Sequence, residues 1–243
     1  MDRFLLNGDE AVAQAALDAG VALGTGYPGT PSTEILEHFS RLGGRAQWSP
    51  NEKVAFEVGL GAAFTGARAL ITMKHVGLNV AADPLFTAAY TGVKGALIVV
   101  SADDPGMASS QNEQDNRRYA VAAGVPMLEP SDSQEAYDFM ALAIELSERW
   151  QIPVMLRMTT RVCHSYTEVC RRELAKPAAD PHFEHDIQGR VMIPAYARPA
   201  HRRLRQKLAE IELWNEESGP NRIVDTGDGS LGIIASGVAF MHA

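Results

Sequence analysis

Two stretches of this chain carry residue types and spacings that could act on a charged small molecule. The first is GTGYPGTPST, residues 24–33, whose opening six residues match G-x-G-x-x-G and follow a short apolar run at 21–23. A glycine turn of that kind, placed between a strand and a helix, holds a dinucleotide's pyrophosphate on free backbone N–H groups. Here Pro28 lies inside the motif and Pro31 directly after it, and proline has no N–H to donate. The third glycine also precedes the helix, and the next strand, RAQW, ends without the acid that would hold a ribose. An NAD-dependent dehydrogenase is therefore the weakest functional reading. The turn reads better as a stiff loop that brings Tyr27 and Thr30 to the carboxyl edge of a sheet, with Thr30 as N-cap and Pro31 as first residue of the following helix. The second stretch begins at Glu52, which follows RAQW and opens NEKVAFEVGLGAAFTGA, a helix unusually rich in Gly and Ala. Phe56, Gly59 and Ala63 share its helical face, so a dry, closely packed setting is expected. A carboxyl group in such a setting has a raised pKa and suits proton sharing; the helix amino terminus opposes that shift.

Alternating segments must position these residues. NGDEAVAQAALDAG reads as a helix capped by Asn7 or Asp9, and ALITM (69–73) and ALIVV (96–100) as buried parallel strands. SDSQEAYDFMALAIELSERW opens with a capping box at Ser131 and Gln134, and PVMLRM (153–158) is one more strand. Strands separated by helix-length patterns imply right-handed βαβ units and a doubly wound parallel α/β sheet over residues 1–160. Residues 161–229 read as a linker containing an amphipathic helix, AHRRLRQKLAEIELWNEES, and 230–243 as the first strand of a truncated second α/β domain.

Composition excludes several partners. A net charge of −8 with 46% hydrophobic residues argues against nucleic acid and anionic membranes. No apolar run approaches the roughly 20 residues of a membrane span, and the acidic N-terminal stretch is unlike a signal peptide, so the cytoplasm is expected. The cysteines, Cys163 and Cys170, form no C-x-x-C, which leaves this chain without a disulfide framework or an iron–sulfur cluster of its own. No residue is assigned to a metal.

GYPGTPSTE, WSPNEKVAFEVGLGAAFTGARALITMKHVGLNVAADPL and SADDPGMASSQNEQDNR together resemble the amino-terminal part of the α subunit of indolepyruvate:ferredoxin oxidoreductases, and more broadly the thiamine-diphosphate 2-oxoacid:ferredoxin oxidoreductases. The resemblance is strong over about residues 5–165 and loose beyond. It implies a fold of the thiamine pyrimidine-binding type, in which Glu52 shares a proton with the ring nitrogen remote from the amine. It implies oxidative decarboxylation of a 2-oxoacid to acyl-coenzyme A, with electrons passed to ferredoxin. By the same resemblance Thr30, Lys74 and His75 lie near the substrate. Tyr27, Pro28, Gly29, Asn79, Ser110, Gln111 and Asn112 line the cofactor pocket. Each of the loop residues also has an ordinary alternative as part of a polar surface loop.

Such enzymes hold the diphosphate through Mg²⁺ on a GDG motif followed much later by Asn. The GDG at 227–229 is followed by only fourteen residues and no Asn, so it reads as a turn. The single chain is thus expected to be incomplete as an enzyme. A diphosphate-binding domain or subunit, Mg²⁺, iron–sulfur clusters and a ferredoxin-type carrier would come from partners in a homo- or hetero-oligomer. The alternative is a non-catalytic scaffold of the same fold.

Overall fold

The computed structural model describes residues 3–177, 180–224, 229 and 231–243. Chain order begins with β1 (Arg3–Leu6) and α1 (Gly8–Asp18). Asn7 caps α1 in a reciprocal box: its side chain accepts the Glu10 N–H at 2.9 Å, and Glu10 accepts the Asn7 N–H at 3.1 Å. Then come β2 (Leu23–Gly26), α2 (Thr33–Arg41), β3 (Ala46–Trp48), α3 (Glu52–Phe64) and β4 (Ala69–Lys74). Two helices, α4 (His75–Val80) and α5 (Ala82–Thr91), lead to β5 (Leu97–Asp103), α6 (Arg117–Ala123) and β6 (Met127–Leu128). The domain closes with α7 (Ser133–Trp150), β7 (Val154–Thr159), α8 (Thr160–His164) and β8 (Thr167–Cys170). A short α9 (Ile187–Arg190) and a long α10 (Pro194–Ser218) follow.

Six strands form one parallel sheet in the order β3-β2-β4-β5-β7-β6. The central strands β4 and β5 are almost wholly apolar and buried, as strands covered on both faces must be. The sequence expectation of a doubly wound parallel α/β sheet holds. All strand carboxyl ends point the same way, so the loops after β2, β3, β4, β5 and β7 meet at one edge, where α/β folds bind ligands.

Local structure differs from the sequence reading in several places. Helix α2 starts at Thr33 with Ser32 at the N-cap, and Thr30 and Pro31 lie ahead of it in the loop, joined by a cis peptide bond. Helix α7 is capped by Asp132, not Ser131: Asp132 accepts the Glu135 N–H, while Glu135 accepts from both the N–H and hydroxyl of Ser131. Within the expected linker, β8 pairs antiparallel with β1, a two-stranded ribbon whose pairing spans most of the domain and leaves no local signal. The segment after it is pinned rather than extended freely. Arg171 holds Asp18 at 2.6 Å, and the His182 N–H bonds the Thr65 carbonyl at 2.7 Å.

The expected amphipathic helix exists as α10, with Ala200, Leu204 and Ile211 buried and Trp214 meeting Trp150 edge-on. The expected terminal strand does not form among the described residues. Residues 231–236 are irregular and Gly237–His242 is a 3₁₀ helix, with Ser236 and Gly237 set against Glu129 just beyond the two-residue edge strand β6. Gly227 and Asp228 of the GDG turn lie outside the described residues.

Candidate active site

Glu52 is the first residue of α3, directly after the Asn51 N-cap, whose side chain accepts the Val54 N–H at 2.9 Å. The helix can lie close to the sheet because Gly59 has no side chain: a Cβ there would sit 2.7 Å from Ile71 Cγ1 and 3.3 Å from Thr25 Cγ2. Phe56 and Ala63, on the same face, are fully buried. Glu52 itself is half-buried at the carboxyl edge, less dry than its helical face suggested. Its carboxylate lies against Gly77 of α4, where an added Cβ would be 2.6 Å from Oε1 and 2.7 Å from Cγ. Among the described residues Glu52 has neither a hydrogen bond nor an ion pair. A partly buried carboxylate without a partner is an acid kept for something else.

Loops from the neighbouring strands converge beside it. The turn after β2 presents Tyr27 and Thr30, both exposed, while Gly29 seats its backbone on the Lys74 stem, 3.0 Å from Lys74 Cβ at the position of a Cβ. Lys74 closes β4 and donates from Nζ to the Ser109 carbonyl at 3.1 Å, tying this loop to the one after β5. His75 is fully buried and donates from Nε2 to the Asn112 carbonyl at 2.9 Å, which leaves Nδ1 as an unpartnered acceptor.

The 104–116 loop is held by Asp104. Its carboxylate accepts from Ser110 Oγ at 2.6 Å, from the Ser109 N–H at 2.8 Å and from Thr160 Oγ1 at 3.0 Å. Burial works to raise its pKa, but these hydrogen bonds, led by Ser110, outweigh it and hold the carboxyl far below the usual carboxylate range. Beneath, Asp103 bonds Arg157 Nε at 2.8 Å and the Asn116 N–H at 3.1 Å, and Arg157 also grips Glu129. Burial pushes the Asp103 carboxyl up against the pull of that guanidinium. Asn116 in turn donates to the His75 carbonyl at 3.0 Å and to Ser101 Oγ at 2.8 Å, fixing the start of α4.

The structure thus brings Gly29 against Lys74, and ties Lys74 and His75 to the 109–112 loop. Glu52 reaches the same α4 through Gly77. Ser110 is occupied as a loop pin, and the Asn112 side chain accepts from Gln114 at 2.8 Å. Gln111 and Pro28 are exposed. Asn79 stands apart, accepting the Tyr119 hydroxyl at 2.6 Å. Sequence reasoning passed over Gly77, Asp104 and Trp48, an exposed aromatic ending β3. Gly77 stands inside the quoted KHVGLN, and the adjacent acids of SADDPG were the available signal for Asp104.

An unpartnered acid among loops at the carboxyl edge of a doubly wound parallel sheet is the arrangement of a small-molecule-binding α/β domain. The comparisons with known proteins give that class a family. The model of the thiamine-diphosphate-binding domain of pyruvate flavodoxin/ferredoxin oxidoreductases matches residues 14–206. Indolepyruvate oxidoreductase subunit IorA of Methanothermobacter thermautotrophicus is 47% identical over 246 residues, covering 99% of this chain and 40% of that protein. The IorA subunit of Archaeoglobus fulgidus is 44% identical over 254 residues, again 99% of this chain and 40% of its own length. A 2-oxoglutarate:ferredoxin oxidoreductase from Magnetococcus marinus shares the fold with a TM-score of 0.73 at 17% identity, over 88% of this chain and 46% of that one. The chain belongs to the thiamine-diphosphate-binding family of pyruvate flavodoxin/ferredoxin oxidoreductases. It spans about two-fifths of the length of the curated relatives it matches.

Proposed function

We propose that this chain is the pyrimidine-binding half of a thiamine-diphosphate site in an indolepyruvate-type 2-oxoacid:ferredoxin oxidoreductase. The observation that carries the reading is the unpartnered carboxylate of Glu52, given its space by Gly77. An acid so placed fits a ring nitrogen with which it can share a proton. Bound thiamine diphosphate supplies the electron sink that lets a 2-oxoacid lose carbon dioxide. This chain's residues do the rest on their side of the site. Glu52 holds the proton at the pyrimidine ring. Tyr27, Pro28 and Gly29 belong to the wall around it, and Asn79 reaches it only on leaving the Tyr119 hydroxyl. The Thr30 hydroxyl and the Lys74 ammonium are the donors for the substrate carboxylate. His75, locked to Asn112, keeps the two loops together, and Ser110, Gln111 and Asn112 close the side toward β5.

The Mg²⁺-bound diphosphate, the iron–sulfur clusters, coenzyme A and the ferredoxin acceptor belong to partner domains or subunits of a cytoplasmic oligomer. What supports partner domains or subunits is that the relatives are named as subunits and that the chain spans about two-fifths of their length. Among the described residues no helix is long and apolar enough to cross a membrane.

The test is calorimetric titration of thiamine diphosphate with Mg²⁺ into the chain alone and into its complex with a diphosphate-binding partner. Weak binding alone and tight binding in the complex is the expected pattern. Tight Mg²⁺-dependent binding by the isolated chain contradicts the half-site. Equal, negligible binding in both makes the chain a scaffold.

A further inference from the structure

We propose that Asp9, Glu34 and His164 form a divalent-cation site whose natural ion is Zn²⁺. Asp9 stands in the first turn of α1, Glu34 in the first turn of α2, and His164 ends α8. The sequence gives no spacing signal for this group, because 155 residues separate its ends. Folding nevertheless brings one ligand atom of each within 4.8 Å of the others.

The second observation is Asp9 itself. Its side chain is fully buried and neither carboxyl oxygen has a hydrogen-bond partner. The Cys163 thiol faces it without the geometry of a hydrogen bond. Glu34 Oε2 is also buried and unpartnered. Two desolvated carboxyl groups side by side are costly unless a cation or a proton neutralises them. Burial first, and then the charges of Glu34 and Glu10, push the Asp9 carboxyl well up. A proton shared between Asp9 and Glu34 relieves only part of the problem: it leaves one negative charge on the pair and the His164 imidazole unused. A cation satisfies both acids at once and uses the imidazole beside them.

The ligand set selects the ion. One imidazole nitrogen with two carboxylates suits Zn²⁺, whereas Mg²⁺ and Ca²⁺ prefer oxygen alone. Tetrahedral bonds of about 2.0–2.2 Å place ligands roughly 3.4 Å apart, so side-chain rotations of about 1 Å complete the cage. His164 is exposed, which gives the ion an entry path and leaves a position for water. Cys163 lies outside the set: its Sγ is not among the ligand atoms that all lie within 4.8 Å of one another. The ion would clamp α1, α2 and α8 together just behind the loop that carries Thr30.

The full chain, purified with any subunits that accompany it and stripped with chelator, is titrated with Zn²⁺ and separately with Co²⁺. Calorimetry, visible absorption and thermal unfolding are recorded for wild type, His164→Ala and Asp9→Asn. The expected results are one ion per chain, a melting temperature that rises with Zn²⁺, and a Co²⁺ ligand-field spectrum. His164→Ala, altered at an exposed side chain, should fold normally and bind more than tenfold more weakly, exceeding about the least that losing an outer-shell partner costs. Asp9→Asn should fold and lose the Zn²⁺-dependent rise. No stoichiometric binding of either ion to wild type overturns the proposal. So does Zn²⁺ binding that both variants leave unchanged, which would place the ion elsewhere on the chain.

Discussion

Gly77→Ala separates the space that Glu52 needs from the stability of the fold. A Cβ at this position would sit 2.6 Å from Glu52 Oε1, 2.7 Å from Cγ and 2.9 Å from Cδ. Ordinary contact between such atoms is about 3.5–4.0 Å, so the carboxylate must retreat by roughly 1 Å. The atoms in the way are the far end of one flexible side chain, so it swings aside at little cost. Within helix α4, replacing Gly by Ala also gains about 0.5–1 kcal/mol of backbone entropy. Stability should therefore be unchanged or slightly higher. A catalytic group displaced by about 1 Å costs on the order of a hundredfold in rate. The assay pairs calorimetric melting of the variant with turnover of the assembled enzyme. Turnover near wild type in a folded variant would refute the placement of Glu52. A melting temperature lowered by many degrees would instead show that Gly77 serves packing.

Gly59→Ala should behave in the opposite way, because its Cβ meets Ile71 and Thr25, both β-branched and fixed in the core; denaturant unfolding should show a loss of about 1–3 kcal/mol. Arg157→Met leaves Asp103 without its counter-ion in the interior, so the same measurement should show a loss of about 3–5 kcal/mol, far more than any surface pair here. Asp104 is an acid whose folded-state pKa is depressed. Its contribution is present above the unfolded value of about 3.9 and is lost as pH falls through the lower folded value. Asp104→Asn should accordingly lower neutral-pH stability by more than about 1.5 kcal/mol and flatten the acid limb of the stability profile.

The parallel sheet was legible because β4 and β5 carry continuous apolar runs, and α1 because a cap at Asn7 or Asp9 precedes its alanine-rich run, of which the structure uses Asn7. The β1–β8 ribbon was not, since four-residue strands paired across the whole domain carry only a weak period. The terminal apolar run reads as a strand, but in the fold it turns into a 3₁₀ helix against Glu129 instead of pairing with the two-residue edge strand β6. The position of Glu52 at the carboxyl edge was legible from its place after β3, and the close seating of α3 from the glycines within it. The division of labour in the loops was not. Ser110 and His75 look alike in sequence as polar loop residues. Only the distances to Asp104 and Asn112 show them holding the loops in place.

Glu52→Gln in the assembled oxidoreductase tests the central claim most directly, because the amide keeps the shape and removes the shared proton. The account predicts unchanged melting and a turnover lowered by about a hundredfold or more, the range that a positioned acid or base contributes. Turnover equal to wild type, in a complex that has bound its thiamine diphosphate, would contradict it.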